Sequence, residues 1–100
     1  MLNIKKEQEN DVLKVVLEGR LDTTTAPQLE SELKEVLPAA KELIFDMADL
    51  EYISSAGLRV LLSAQKVMSR QGSMKVIHVR EEVNEIFEVT GFCDILTIEP

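Results

Sequence analysis

The feature that most constrains the fold is an alternation of strand-like and helix-like segments from residue 12 to the end of the sequence. Short apolar segments typical of strands are separated by longer segments whose apolar residues recur at helical spacing. Repeated strand–helix–strand units need crossover connections, which are right-handed and make the strands parallel. An opening hairpin makes the sheet mixed. We therefore predict a small α/β domain, in which helices pack against a mixed β-sheet in the order β-β-α-β-α-β-α-β.

The predicted strands rest on alternating patterns and on short apolar runs. "LNIKKEQ" alternates as an edge strand does, "END" is typical of a turn, and "DVLKVVLEG" places Leu13, Val15 and Leu17 on one face. The continuous run "ELIFDM" predicts a central strand that is covered on both faces and ends at Asp46. "MKVIHV", which contains His78, and "DILTIEP" predict the last two strands.

Three segments have helical spacing. In the first, Thr25 is the predicted N-cap, Gln28 stands at the capping-box position and Pro38 ends the helix. The second is "GLRVLLSAQKVMSRQG", and the third is "EEVNEIFEVTG", whose glutamates form a solvent-facing side. The second helix has an apolar stripe of Leu58, Leu61, Leu62 and Met68, and its predicted solvent face carries Arg59, Ser63, Lys66 and Arg70.

Composition excludes several classes of protein. The 100 residues fit one domain, residues 1–100, and the 45% apolar content provides an aliphatic core. A net charge of −7 argues against a nucleic-acid partner and against direct binding to an anionic membrane. One histidine and one cysteine are too few for a structural zinc site, so no metal or other cofactor is expected. Cys93 is predicted to be a small buried residue, and the absence of a signal peptide predicts a cytoplasmic protein.

The stretch "EYISSAGLRVLL" places two serines where a strand leads into a helix. The first turn of a helix has unpaired N–H groups and a positive dipole end, which favour an anion such as phosphate. Gly57 leaves the backbone uncrowded for the approach of another chain. The alternative is that a serine only caps the helix. Both interpretations hold together if Ser54 or Ser55 caps and its neighbour is free.

Taken together, "LEGRLDTTTAPQLE", "LIFDMADLEYISSAGLRVLL" and the late "VTG" resemble the STAS domain, the fold of bacterial anti-sigma factor antagonists. The resemblance covers the whole chain. It implies that a serine of the loop is phosphorylated by an anti-sigma factor that is itself a serine kinase. It also implies that a serine phosphatase is a further partner. This protein itself is then not an enzyme, and it is a monomer when free.

The family pattern Asp-Ser-(Ser/Thr)-Gly-Leu, aligned on Gly57 and Leu58, identifies Ser55 as the phosphorylated residue, with Ser54 as the alternative. The implied function is a switch, in which the unphosphorylated protein binds the anti-sigma factor and releases a sigma factor, and phosphorylation ends binding. The implied partner-binding surface comprises Asp22, Thr23, Thr24, Ser54, Ser55, Ala56, Gly57 and Leu58.

Other functions stay open at this point. Some STAS proteins are adaptor subunits of lipid-transport complexes or of stress-sensing assemblies. An enzyme with Ser55 as nucleophile would need His78, the one histidine, as its base. Instead of contacting a partner, Asp22 could accept hydrogen bonds from the amides of its own turn, and Leu58 could belong to the core. Asp46 either binds a backbone donor or adds negative charge beside the serines.

Overall fold

In the part of the chain that the structure describes, five strands and three helices follow one another in the predicted order. The structure, a computed structural model, describes residues 2–99. The elements are β1 (Leu2–Glu9), β2 (Val12–Leu21), α1 (Ala26–Val36), β3 (Glu42–Ile53), α2 (Ser55–Gln71), β4 (Ser73–Ile77), α3 (Glu81–Thr90) and β5 (Ile98–Glu99), with 3₁₀ turns at Leu37–Ala39 and Phe92–Asp94. Among residues 2–99, no helix is long and apolar enough to cross a lipid bilayer.

The strands form one mixed sheet in the order β1-β2-β3-β4-β5. The pair β1–β2 is antiparallel, as the hairpin predicts, and the other three pairs are parallel. Right-handed crossovers that always step in the same direction place their helices on the same side of a sheet. The predicted α/β fold class is therefore confirmed, with all three helices over one face.

This arrangement contradicts the prediction that the central strand is covered on both faces. Along β3 the side chains of Leu43, Phe45 and Met47 are fully buried beneath the helices. Their neighbours Ile44 and Asp46 on the other face are only partly buried. The short run "ELIFDM" resembles a two-sided strand because Ile44 is apolar although it lies on the open face.

The core fills the space between the helices and the covered face of the sheet. Leu13, Val15 and Leu17 of β2 are fully buried, as the alternation predicts. Leu61 and Met68 of α2 and Phe87 of α3 meet them from the helical side. Burying a side chain of this size contributes about 1.5–3 kcal/mol, so the core holds the helices firmly on the sheet.

The central strand is longer than the sequence predicts, because β3 continues past Asp46 to Ile53. Two register shifts interrupt its pairing with β2, between Val16 and Glu18 and between Gly19 and Arg20. Each bulge adds a residue to β3 and changes which face the next side chain occupies. The buried positions are consequently Met47, Leu50 and Ile53, three residues apart, and the two-residue period that identifies a strand is lost.

Three further details of the C-terminal quarter differ from the predictions. His78 lies one residue beyond β4 rather than within it, with a positive φ of 56°. Cys93 is exposed in the second 3₁₀ turn, not buried. The last strand begins only at Ile98, because this turn takes up the start of the predicted segment.

Candidate functional site

The two serines lie where β3 passes into α2. The backbone N–H of Ser54 donates to the carbonyl oxygen of Leu21 at 2.8 Å, which joins the ends of β2 and β3. Asp22 follows Leu21 directly, so the turn after β2 lies beside the serines. This bond brings together two segments that are more than 30 residues apart in sequence.

The serines have different roles. Ser54 is the N-cap of α2, with extended backbone angles of −97° and 176°, and its Oγ accepts from the N–H of Gly57 at 3.4 Å. Ser55 is the first residue of the helix and is exposed. Within residues 2–99 the Ser55 hydroxyl makes no hydrogen bond. The geometry thus matches the interpretation in which one serine caps and its neighbour is free.

Asp22 organises the neighbouring turn. Its Oδ1 accepts from the hydroxyl of Thr24 at 2.8 Å and from the N–H groups of Thr24 and Thr25 at 3.0 and 3.1 Å. These bonds stabilise the charged form. The Thr24 hydroxyl is the main reason why the pKa of Asp22 lies below its usual value, although desolvation opposes the shift. Asp22 therefore has the structural role of a turn residue, and its carboxylate is ionised at neutral pH.

The predicted cap of α1 is correct in position and wrong in chemistry. Thr25 occupies the N-cap position, but its side chain makes no cap hydrogen bond. Its buried hydroxyl instead accepts from the N–H of Asp22 at 2.8 Å and donates to the carbonyl oxygen of Arg20 at 2.9 Å. Gln28 closes no capping box, since its amide lies 3.5 Å from Glu32. Thr25 therefore ties the turn to the end of β2.

The predicted partner-binding residues divide into surface and interior. Thr23, Thr24 and Ser55 are exposed, whereas Gly57 and Leu58 are buried. A Cβ on Gly57 would lie 2.7 Å from Cγ of Leu21 and 2.9 Å from Cγ1 of Ile53. The glycine lets α2 approach its own sheet, which corrects the prediction that it admits another chain. Leu58 is likewise a core residue.

Asp46 and His78 form a separate cluster on the open face of the sheet. The Asp46 carboxylate lies 3.2 Å from Nδ1 of His78 and 3.6 Å from Nζ of Lys14, and it accepts from the N–H of Ala48 at 3.1 Å. Partial burial acts to raise the pKa of Asp46, but these bonds and charges outweigh it, and the pKa lies below the usual value.

The cluster is remote from the serines. Asp46 stands seven residues before Ile53 in β3, which corresponds to roughly 20 Å of strand. Asp46 therefore adds no short-range repulsion at Ser55. His78 is held at Asp46 and does not lie beside Ser55 as a base would. Within residues 2–99, no three acidic, histidine or cysteine side chains are grouped as metal ligands.

One pair beside the site was missed from the sequence. Arg20 stands opposite Tyr52 in the β2–β3 register, and its guanidinium carbon lies 4.5 Å from the centre of the tyrosine ring. Both side chains are exposed, on strand ends that lead directly into the Asp22 turn and the serines. Tyr52 is visible in the sequence as an aromatic residue two positions before Ser54. Its contact with Arg20 is not, because it depends on the bulged pairing of β2 with β3.

Comparison with known proteins finds relatives along nearly the whole chain. The STAS domain family matches residues 3–100. The anti-sigma-B factor antagonist of Bacillus subtilis is 32% identical over 94 residues, which cover 93% of this chain and 85% of that protein. Another relative, the anti-sigma-B factor antagonist of Listeria monocytogenes, is 29% identical over 94% of this chain and 84% of its own length.

Solved structures have the same fold. An anti-sigma factor antagonist from Mycobacterium paratuberculosis superposes with a TM-score of 0.91 at 22% identity, over 100% of this chain and 86% of that one. The Bacillus cell fate determinant SpoIIAA in its phosphorylated form superposes with a TM-score of 0.76 at 15% identity, over 96% of this chain and 90% of SpoIIAA. These structures share the fold, and the family match together with the Bacillus subtilis relative establishes that the chain belongs to the STAS domain family, in which the relatives named above are anti-sigma factor antagonists.

Proposed function

We propose that this protein is an anti-sigma factor antagonist controlled by phosphorylation of Ser55. The unphosphorylated form binds an anti-sigma factor that is a serine kinase, and this binding releases a sigma factor. The kinase transfers the γ-phosphoryl group of ATP to the Ser55 hydroxyl and leaves ADP, and a serine phosphatase removes the phosphate. The relatives named as anti-sigma-B factor antagonists support this function.

The observation that carries the proposal is the division of roles between the serines. Ser54 caps α2 by accepting from the N–H of Gly57, whereas the hydroxyl of Ser55 is exposed and makes no hydrogen bond within residues 2–99. Modification of Ser55 consequently breaks no bond that holds the fold. The resemblance to the family pattern, which favours Ser55, and the geometry, which leaves its hydroxyl exposed, support the same residue.

The charge of a phosphoserine explains why binding ends. Phosphorylation adds about −1.5 to −2 charges at pH 7. At the N-terminus of α2 this charge is favourable, so the domain stays folded. In an interface, however, the phosphate loses water and lies near the ionised Asp22. A penalty of about 3 kcal/mol lowers affinity more than a hundredfold, which is enough for a switch.

The test is intact-mass spectrometry with fragment localisation on the protein isolated from its native host, during growth and under stress. We expect a single phosphate on Ser55 whose occupancy changes with growth state and which is absent from Ser55→Ala. The matched control is Ser54→Ala, which removes the neighbouring hydroxyl and should retain the phosphate.

Two results would count against the proposal. A phosphate on Ser54 that persists in Ser55→Ala would assign the modification to the alternative serine. The absence of phosphate under every condition, with co-purification of a transporter ATPase or a large scaffold, would favour the adaptor function.

A further inference from the structure

A groove runs between α1 and α2 on the outer side of the helical layer. Its volume is about 240 Å³, and its floor is formed by apolar side chains of both helices. Val67 stands at its edge with 39% of its surface exposed, one of four large apolar residues that are exposed within residues 2–99. The lining residues are Glu30, Leu33, Lys34, Leu37, Val60, Ser63, Ala64 and Val67. The space accommodates one or two apolar side chains of another molecule.

A row of cations lies on the exposed face of α2 next to this groove and meets it at Ser63, while the lining of the groove itself carries one acidic residue, Glu30, and one basic residue, Lys34. α2 contains three basic residues, Arg59, Lys66 and Arg70, and no acidic residue, although the protein has a net charge of −7. Together with Ser63 they recur at i, i+4, i+7 and i+11, which places them along one exposed face. None of the three cations forms an ion pair within residues 2–99. We call this face the basic stripe.

The groove is continuous with the surface around Ser55. A second, shallower depression joins it, lined by Thr23, Ala56 and Arg59 among others, and the two share Glu30 and Val60. A partner that covers the Asp22 turn and Ser55 therefore reaches the groove without a gap. The far end of the groove lies at Val67, three turns along α2 from Ser55.

We infer that the anti-sigma factor inserts an acidic amphipathic segment into this groove, in addition to its contact with the Ser55 loop. Apolar side chains of that segment occupy the space beside Val67, and its carboxylates pair with the basic stripe. This inference rests on the proposed function for the identity of the partner. It identifies a second contact region, which phosphorylation does not touch, and a charge pattern that the partner segment must have.

Site-specific photocross-linking in the native host tests the inference together with its premise. The photoreactive residue p-benzoylphenylalanine replaces Ser63 at the groove, Thr24 at the loop surface, or Val89 on the exposed side of α3. We expect Ser63 and Thr24 to cross-link to the same serine-kinase anti-sigma factor. The peptide captured at Ser63 should be rich in Asp and Glu, and Val89 should give no such product.

The other outcomes are separable. A kinase cross-linked from Thr24 and never from Ser63 would overturn the groove contact and retain the proposed function. A protein other than a serine-kinase anti-sigma factor at both positions would overturn the proposed function, and the identity of the groove's occupant with it.

The second measurement is the affinity of matched variants for the purified captured kinase, determined by titration calorimetry. Val67→Asp should weaken binding at least tenfold, because it places a carboxylate in the groove. Val89→Asp is the matched control, since it makes the same change at an exposed valine of α3, and it should weaken binding less than twofold. Lys66→Glu should weaken binding three- to tenfold at low salt and less at high salt, whereas Arg80→Glu, with the same charge change, should not. Equal effects within either pair would overturn the inference, provided that circular dichroism reports folded variants.

Discussion

Gly57→Ala is expected to destabilise the protein even though alanine is the better helix former. The added Cβ would lie 2.7 Å from Cγ of Leu21 and 2.9 Å from Cγ1 of Ile53. Leu21 and Ile53 are at most 1% exposed, so neither can turn into open space. α2 must then move away from the ends of β2 and β3, which carry the candidate site.

The magnitude follows from two opposing terms. Overpacking of a closed core costs about 1–3 kcal/mol, and the rigid neighbours place this substitution in the upper half of that range. Replacing glycine by alanine in a helix returns at most about 1 kcal/mol, and less in the first turn. The net loss is therefore about 1–3 kcal/mol, which lowers Tm by roughly 4–24 °C in a domain of this size.

Urea and thermal unfolding of purified variants measure this loss. Ser63→Ala, an exposed change in the same helix, is the control for helix propensity and should leave stability within about 0.5 kcal/mol of wild type. Leu21→Val makes room for the new methyl group, so the double variant Gly57→Ala/Leu21→Val should lose less than the sum of the single losses. A Gly57→Ala protein as stable as wild type would refute the reasoning that the glycine is required for close packing.

Three further predictions concern the two serines, the C-terminal end of α2 and Asp22. Ser54→Ala should lower the free energy of unfolding by only about 0.5–1 kcal/mol, because the cap bond that it removes is long, at 3.4 Å. Ser55→Ala should stay within about 0.5 kcal/mol of wild type in the same urea titration, and the reverse order of the two losses would contradict the assigned roles. Gln71→Ala should cost about 1–3 kcal/mol by chemical denaturation, since its amide donates to two backbone carbonyl oxygens at 2.6 and 2.7 Å, and a neutral result would mean that water replaces both bonds. The pKa of Asp22 is depressed in the folded state, so the stabilisation that its carboxylate provides is present above pH ~4 and is lost as pH falls through the folded-state pKa. Asp22→Asn should therefore flatten that part of the curve of stability against pH. An unchanged curve would contradict the role of its hydrogen bonds.

Most of the fold could be predicted because its patterns are local. Leu13, Val15 and Leu17 alternate along β2 as a half-buried strand requires, and the helical stripes identify α2 and α3 by spacing alone. The order of elements then leaves few topologies, since crossovers are right-handed. The bulged half of β3 could not be predicted, because its buried positions follow the pairing with β2 and not the two-residue period.

The candidate site was only partly predictable for the same reason. The serines, the Asp22 turn and the family resemblance were visible in the sequence. The identity of the capping serine was not, because it depends on where α2 begins, and that start is fixed by the bond between Ser54 and Leu21. The groove and the position of the basic stripe beside it also depend on how α1 and α2 pack together.

The order of the elements, the family and the chemistry available at the serines could be inferred from the sequence, because they follow from local periodicity, motifs and residue type, whereas the bounds of β3, β4 and β5 could not. The tertiary structure was needed to show which residues of that set are free to act. It buried Gly57 and Leu58 by packing α2 on the sheet, placed Asp46 and His78 away from Ser55 by lengthening β3, and left Ser55 exposed by assigning the cap to Ser54. These outcomes depend on contacts between distant segments, which no local pattern specifies.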